Sequence, residues 1–171
     1  MPEEVGIQVF TIQLVVILLL VMLNAFFAAA EIAIVSMRRS RLRHLVEEER
    51  DVRAMTVQRL VEQPSRFLAT IQIGVTLAGF FASAVGAVSL VVVVSDLLSR
   101  VPVYAIAANA YTIAFIVVTI TISFFTLVFG ELAPKNLAMV RAESVALALA
   151  RPVELLSRIA APLVWILTAS T

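Results

Sequence analysis

The chain reads as an all-α membrane protein of three transmembrane helices, with its N-terminus outside and further helices at the cytoplasmic face. Three observations predict this. Of 171 residues, 61% are hydrophobic and only 15% charged, whereas soluble domains carry about 25% charged residues; the mean hydropathy is +1.03. Three stretches stay apolar for longer than the ~20 residues a helix needs to cross a bilayer core. The basic residues are also unevenly placed: eight lie between Arg38 and Arg66, four follow Glu131, and Arg100 stands by itself in the connection between the second and third stretches. Basic residues mark the cytoplasmic side of a span, so three crossings with an external N-terminus satisfy the count.

The first stretch is uncharged from Val5 to Ala30 and stays apolar past Glu31 until Arg38, which predicts a span over about residues 7–36. Glu3 and Glu4 stand where a secretory signal would carry basic residues, so this run is read as a membrane helix and not as a cleaved leader. Arg38, Arg39, Arg41 and Arg43 follow, then a mixed-charge stretch to Pro64. Leu42, Leu45, Val46, Val57, Leu60 and Val61 recur there at helical spacing, predicting amphipathic juxtamembrane structure over about 40–62. A second span is expected over about 67–95. It is rich in small residues, and Gly79, Ser83 and Gly86 share a face on which a neighbouring helix could approach closely. Asp96 to Pro102 form a short external turn, and the third span is expected over about 104–130.

Beyond that point Arg141, Glu143, Arg151, Glu154 and Arg158 interrupt the hydrophobicity. The last uncharged run, from Ile159, is only about 13 residues long, which suits an interfacial helix better than a crossing. Residues 136–170 are therefore expected to lie along the inner face, kinked near Pro152 and Pro162. There are no cysteines and a single histidine, so thiolate and imidazole metal centres are excluded. No nucleophile-and-base arrangement lies within the spans, so an enzyme is not expected, and nothing suggests nucleic-acid binding.

Ionisable side chains in a bilayer are costly, and usually face a partner or a wet cavity. Glu31 lies seven residues before Arg38 and Glu131 four before Lys135, so the two carboxylates are expected at similar depth near the inner leaflet. Pro134 lacks an N–H and its ring displaces the usual partner of the Gly130 carbonyl, which should free that oxygen beside Glu131. Asn24 shares a helical face with Glu31, Thr76 lies on a polar face of the second span, and Ser123 on one of the third. Carboxylates, a freed carbonyl and small polar groups are the components of hard-cation sites. The candidate metal residues are thus Glu31, Glu131, Gly130, Ser123, Asn24 and Thr76, with Pro134 and Lys135 as the helix break and gate. Lys135 is also the natural competitor, able to neutralise Glu131.

Three motifs carry a family resemblance: Asn24 to Ala33 (NAFFAAAEIA), Thr70 to Leu77 (TIQIGVTL) and Gly130 to Ala138 (GELAPKNLA). Together, in this order and with fitting connections, they resemble the transmembrane domain of the cyclin M/CorC family. The resemblance implies a homodimer with three spans per subunit, a belt of juxtamembrane helices, and cytoplasmic CBS-type regulatory domains outside this chain, in the plasma membrane of a bacterium. It also implies export of Mg²⁺, coupled to Na⁺ entry, with the ion held between the helices. Ala28 and Gly79 stand where metal-binding members carry a serine and an asparagine, so the ligand set departs from the pattern. A polyamine-exporting branch and a non-transporting anchor for cytoplasmic sensor domains are the alternatives.

Overall fold

The computed structural model describes residues 2–169, with side chains for residues 8–162, 164 and 165. Every regular element among the described residues is helical. In order these are α1 (Pro2–Ser36), α2 (Arg39–Glu47), α3 (Val52–Glu62), α4 (Pro64–Ser99), α5 (Tyr104–Ala108), α6 (Ala110–Leu127), a π-helical turn (Val128–Leu132), α7 (Ala133–Val140) and α8 (Ala142–Ala169). Three segments are long and apolar enough to cross a membrane: Gln8–Ser36, Pro64–Ser99 and Ala110–Val140. The all-helical, three-span architecture expected from the sequence is thereby borne out. Ser170, the last residue of the expected inner-face helices, lies outside the described residues.

Two compact units are distinguished along the chain. One comprises the chain up to Asn24 with Leu77–Gly130; the other comprises Ala25–Thr76 with the chain from Glu131 onward. In the first unit Val91 of α4 packs with Ala114, Val118 and Ile122 of α6. Burying apolar groups from lipid provides little driving force, so close packing of small residues must hold such helices together. On α4 the small residues Ala78, Ala82 and Gly86 are buried, an i, i+4, i+8 stripe. A Cβ on Gly86 would overlap the Ile122 side chain, whereas one on Gly79 would meet open space. Of the face expected from Gly79, Ser83 and Gly86, Gly86 is closely packed within this chain, Ser83 is half-buried, and Gly79 meets open space. All of these residues are small, and composition does not distinguish two faces one residue apart.

The second unit owes its core to the ends of the long helices and to α2, α3 and α8. Ile34, Ala54, Val57, Ile71, Ala146, Ala150 and Val153 are almost completely buried in one cluster. Fully burying a valine from water stabilises by roughly 1.5–2 kcal/mol, so Val57 and Val153 are substantial anchors. The amphipathic stretch after the first span forms two helices, α2 and α3. Arg50 adopts a left-handed conformation (φ 51°), and the Asp51 carboxylate then caps α3 by accepting from the Arg53 N–H at 2.7 Å. Ion pairs tie α2 and α3 to α8: Arg41 to Glu143 at 3.1 Å and Arg59 to Glu154 at 3.0 Å. At the expected inner-face stretch, α7 is followed by α8, a 28-residue helix that contains both Pro152 and Pro162.

Candidate cation site

In the second unit α1 supplies Glu31, the π turn Glu131, and α7 Lys135. The Lys135 ammonium donates to Glu131 Oε1 at 2.8 Å and lies 3.5 Å from Glu31 Oε2. All three side chains are about one-third exposed or less, at 27–34%. Two carboxylates and one ammonium leave the cluster with a net charge of −1. The local sequence explains the arrangement. Pro134 sits in the first turn of α7, where its missing N–H is tolerated. The turn before it widens into a π-helix, the usual device for absorbing such a break. Lys135 then follows Glu131 by one turn and can reach both acids. Ala28 is completely buried and has no side-chain oxygen to offer, and Thr76 is exposed.

In the first unit the Gly130 carbonyl is not bare. The Asn24 side chain donates to it from Nδ2 at 3.1 Å, across 106 residues of sequence. This corrects the expectation of a freed carbonyl: Pro134 removes the ordinary partner, and a buried amide replaces it. The glycine makes room for the contact, because a Cβ at position 130 would stand 2.9 Å from Asn24 Nδ2. Asn24 is 3% exposed, and its Oδ1 is buried with no donor, as is Thr126 Oγ1. Thr126 was not among the sequence candidates for metal binding. Ser123 is exposed and lies off the buried Ala114, Val118, Ile122 stripe of α6, so it offers no ligand to the interior of this unit.

Among the described residues no group of three or more His, Cys, Asp or Glu side chains is placed to hold a metal ion. Any ion at the acids must draw its remaining oxygens from water, backbone or amide groups. Glu31 and Glu131 are brought together by their shared lysine, whereas Thr76 and Ser123 are exposed.

Comparison with known proteins decides the family. The model of the cyclin M transmembrane N-terminal domain matches residues 14–171. The chain belongs to this family. The match bears out the resemblance carried by the three motifs. A UPF0053 protein of Synechocystis (sll0260) is 36% identical over 160 residues, covering 94% of this chain and 35% of the relative. The UPF0053 protein YrkA of Bacillus subtilis is 33% identical, covering 94% of this chain and 36% of the relative. A Haemophilus influenzae relative named polyamine export protein is 33% identical over 150 residues, covering 87% of this chain and 34% of the relative. The chain thus spans about a third of the length of the curated relatives it matches. Within this family the helices described above are the membrane domain of a multi-pass membrane protein.

Proposed function

We propose that this domain carries a cation out of the cytoplasm, with Mg²⁺ the leading substrate and Na⁺ the coupling ion. The observation that carries the reading is one ammonium shared by two carboxylates within candidate spans. Packing gives little reason to keep such acids there, and charge balance gives a reason to keep them for a divalent ion. With Lys135 in place the cluster carries −1; with Lys135 swung away, a doubly charged cation neutralises both acids. Lys135 is then the resident counter-ion that the substrate displaces, and its return expels the substrate. Mg²⁺ prefers six oxygens and parts with water reluctantly, so it retains several waters beside Glu31 and Glu131. Rocking of the helices about the Pro134 break alternates access. The basic-residue asymmetry supports an external N-terminus, and on this reading the working unit is a homodimer in the bacterial inner membrane, joined to cytoplasmic CBS-type domains of the longer protein.

A second reading has its own support. A lysine ammonium already occupies the space between the acids, which makes that space a template for a primary ammonium, and one relative is named polyamine export protein. The chain reconstituted in proteoliposomes tests both readings by following Mg²⁺ and spermidine with and without a Na⁺ gradient. Na⁺-driven Mg²⁺ flux that disappears in Glu131→Gln is the expected result. Spermidine flux with no Mg²⁺ flux selects the organic cation, and no flux of either by folded protein returns the domain to the role of an anchor.

A further inference from the structure

A second cluster of charge in the second unit shares no residue with the Glu31, Glu131 and Lys135 cluster. Arg59 of α3, Gln63 and Arg66 at the start of α4, and Glu154, Ser157 and Arg158 of α8 line a cleft of about 210 Å³. Its charges do not balance. Glu154 serves two arginines: it accepts from Arg59 Nε at 3.0 Å and from Arg158 Nη2 at 3.1 Å. Among the described residues Arg66 has no carboxylate partner. It donates from Nη2 to the Ser157 carbonyl at 3.2 Å, and its Nε is buried without an acceptor. Three guanidinium groups against one carboxylate leave the cleft at +2, with a buried N–H that lacks an acceptor.

We infer that this cleft binds the phosphate of an anionic phospholipid from the surrounding leaflet. Guanidinium forks match phosphate oxygens in pairs, and a phosphodiester would reduce the excess charge and offer the acceptor that Arg66 lacks. Depth favours a lipid over a dissolved anion. Gln63 and Arg66 flank the start of a candidate span at Pro64, the level at which headgroups lie. The helix that carries Arg158 also exposes Leu155 and Ile159 at 60% and 65%. An apolar outer face flanked by arginines is the mark of a helix lying in the membrane interface, and basic pockets at this level hold anionic headgroups.

Native mass spectrometry of the detergent-solubilised chain tests the assignment, using phosphatidylglycerol, phosphatidylcholine and inorganic phosphate as probes. The wild type should retain phosphatidylglycerol in preference to phosphatidylcholine. Arg66→Gln should weaken that retention about five-fold, the loss expected for one basic residue at an anionic surface. Arg151→Gln, which removes an exposed charge of α8 outside the cleft, should leave it unchanged. Glu154→Gln should strengthen it, because two arginines are then released; a gain cannot come from misfolding. Equal retention of the two lipids overturns the inference, as does an Arg66→Gln chain that binds like the wild type. Release of phosphatidylglycerol by low concentrations of inorganic phosphate would assign the cleft to a free anion and equally overturn it.

Discussion

If Lys135 is the counter-ion that a substrate must displace, removing its charge should tighten cation binding. Lys135→Met keeps the length of the side chain and deletes the ammonium. In the native chain that ammonium makes one short charge-assisted hydrogen bond at 2.8 Å and a looser contact at 3.5 Å. A hydrogen bond to a charged group is worth roughly 1.5–3 kcal/mol net. The lysine side chain is 27% exposed, so solvent screening brings the total to about 2 kcal/mol. An incoming cation no longer has to break that interaction, and 2 kcal/mol corresponds to roughly thirty-fold in affinity. Calorimetric titration of the purified variant with Mg²⁺ and with spermidine reads this directly. Lys135→Arg, which keeps the charge, should remain within a few-fold of the wild type. A folded Lys135→Met chain that binds no tighter than the wild type refutes the displacement argument and makes the lysine a structural partner of Glu131.

Three further outcomes follow from the packing and the ion pairs. Gly86→Ala forces a methyl onto Ile122 and should lower stability by about 1–3 kcal/mol, whereas Gly79→Ala meets open space and should be neutral or gain up to about 1 kcal/mol in helix propensity; thermal melts in detergent compare the two. Asn24→Ala removes the donor to the Gly130 carbonyl and should cost about 1–3 kcal/mol for the buried group left without a partner, measured in the same melts. The Arg59 hydrogen bond, aided by Arg158, holds the Glu154 carboxyl below the usual glutamate range. Because the folded value is the lower one, the stability it contributes is complete above the ordinary titration range and is lost as pH falls through the lowered value. Melts between pH ~6 and ~3 should show that loss, and Glu154→Gln should flatten it.

Much of the fold was legible because its causes are local. An uncharged run of sufficient length forms a span wherever it occurs, and the arginines after Val35 end the first one as expected. The charges from Arg141 to Arg158 likewise kept α8 out of the count of spans. What escaped the sequence were partners distant along the chain. Pro134 announced the loss of a hydrogen bond at Gly130, but nothing local revealed that Asn24, 106 residues earlier, supplies a new donor. Lys135 was expected to neutralise Glu131; its reach to Glu31 as well depends on two separate helices meeting. Ser123 and Thr76 were placed on polar faces by helical spacing alone, which gives the face but not its direction, and both proved exposed. The break at Asn109 before α6 and the turn at Arg50 carried no proline or glycine to signal them.

Cation binding at the two acids is read most directly by calorimetric titration of the wild-type chain and of Glu131→Gln with Mg²⁺, at low and high Na⁺, with spermidine in parallel. Saturable Mg²⁺ binding is expected that Na⁺ weakens and that falls at least about ten-fold when Glu131 loses its charge. Binding that is unchanged in a folded Glu131→Gln chain, or no binding of either cation by the wild type, contradicts this expectation.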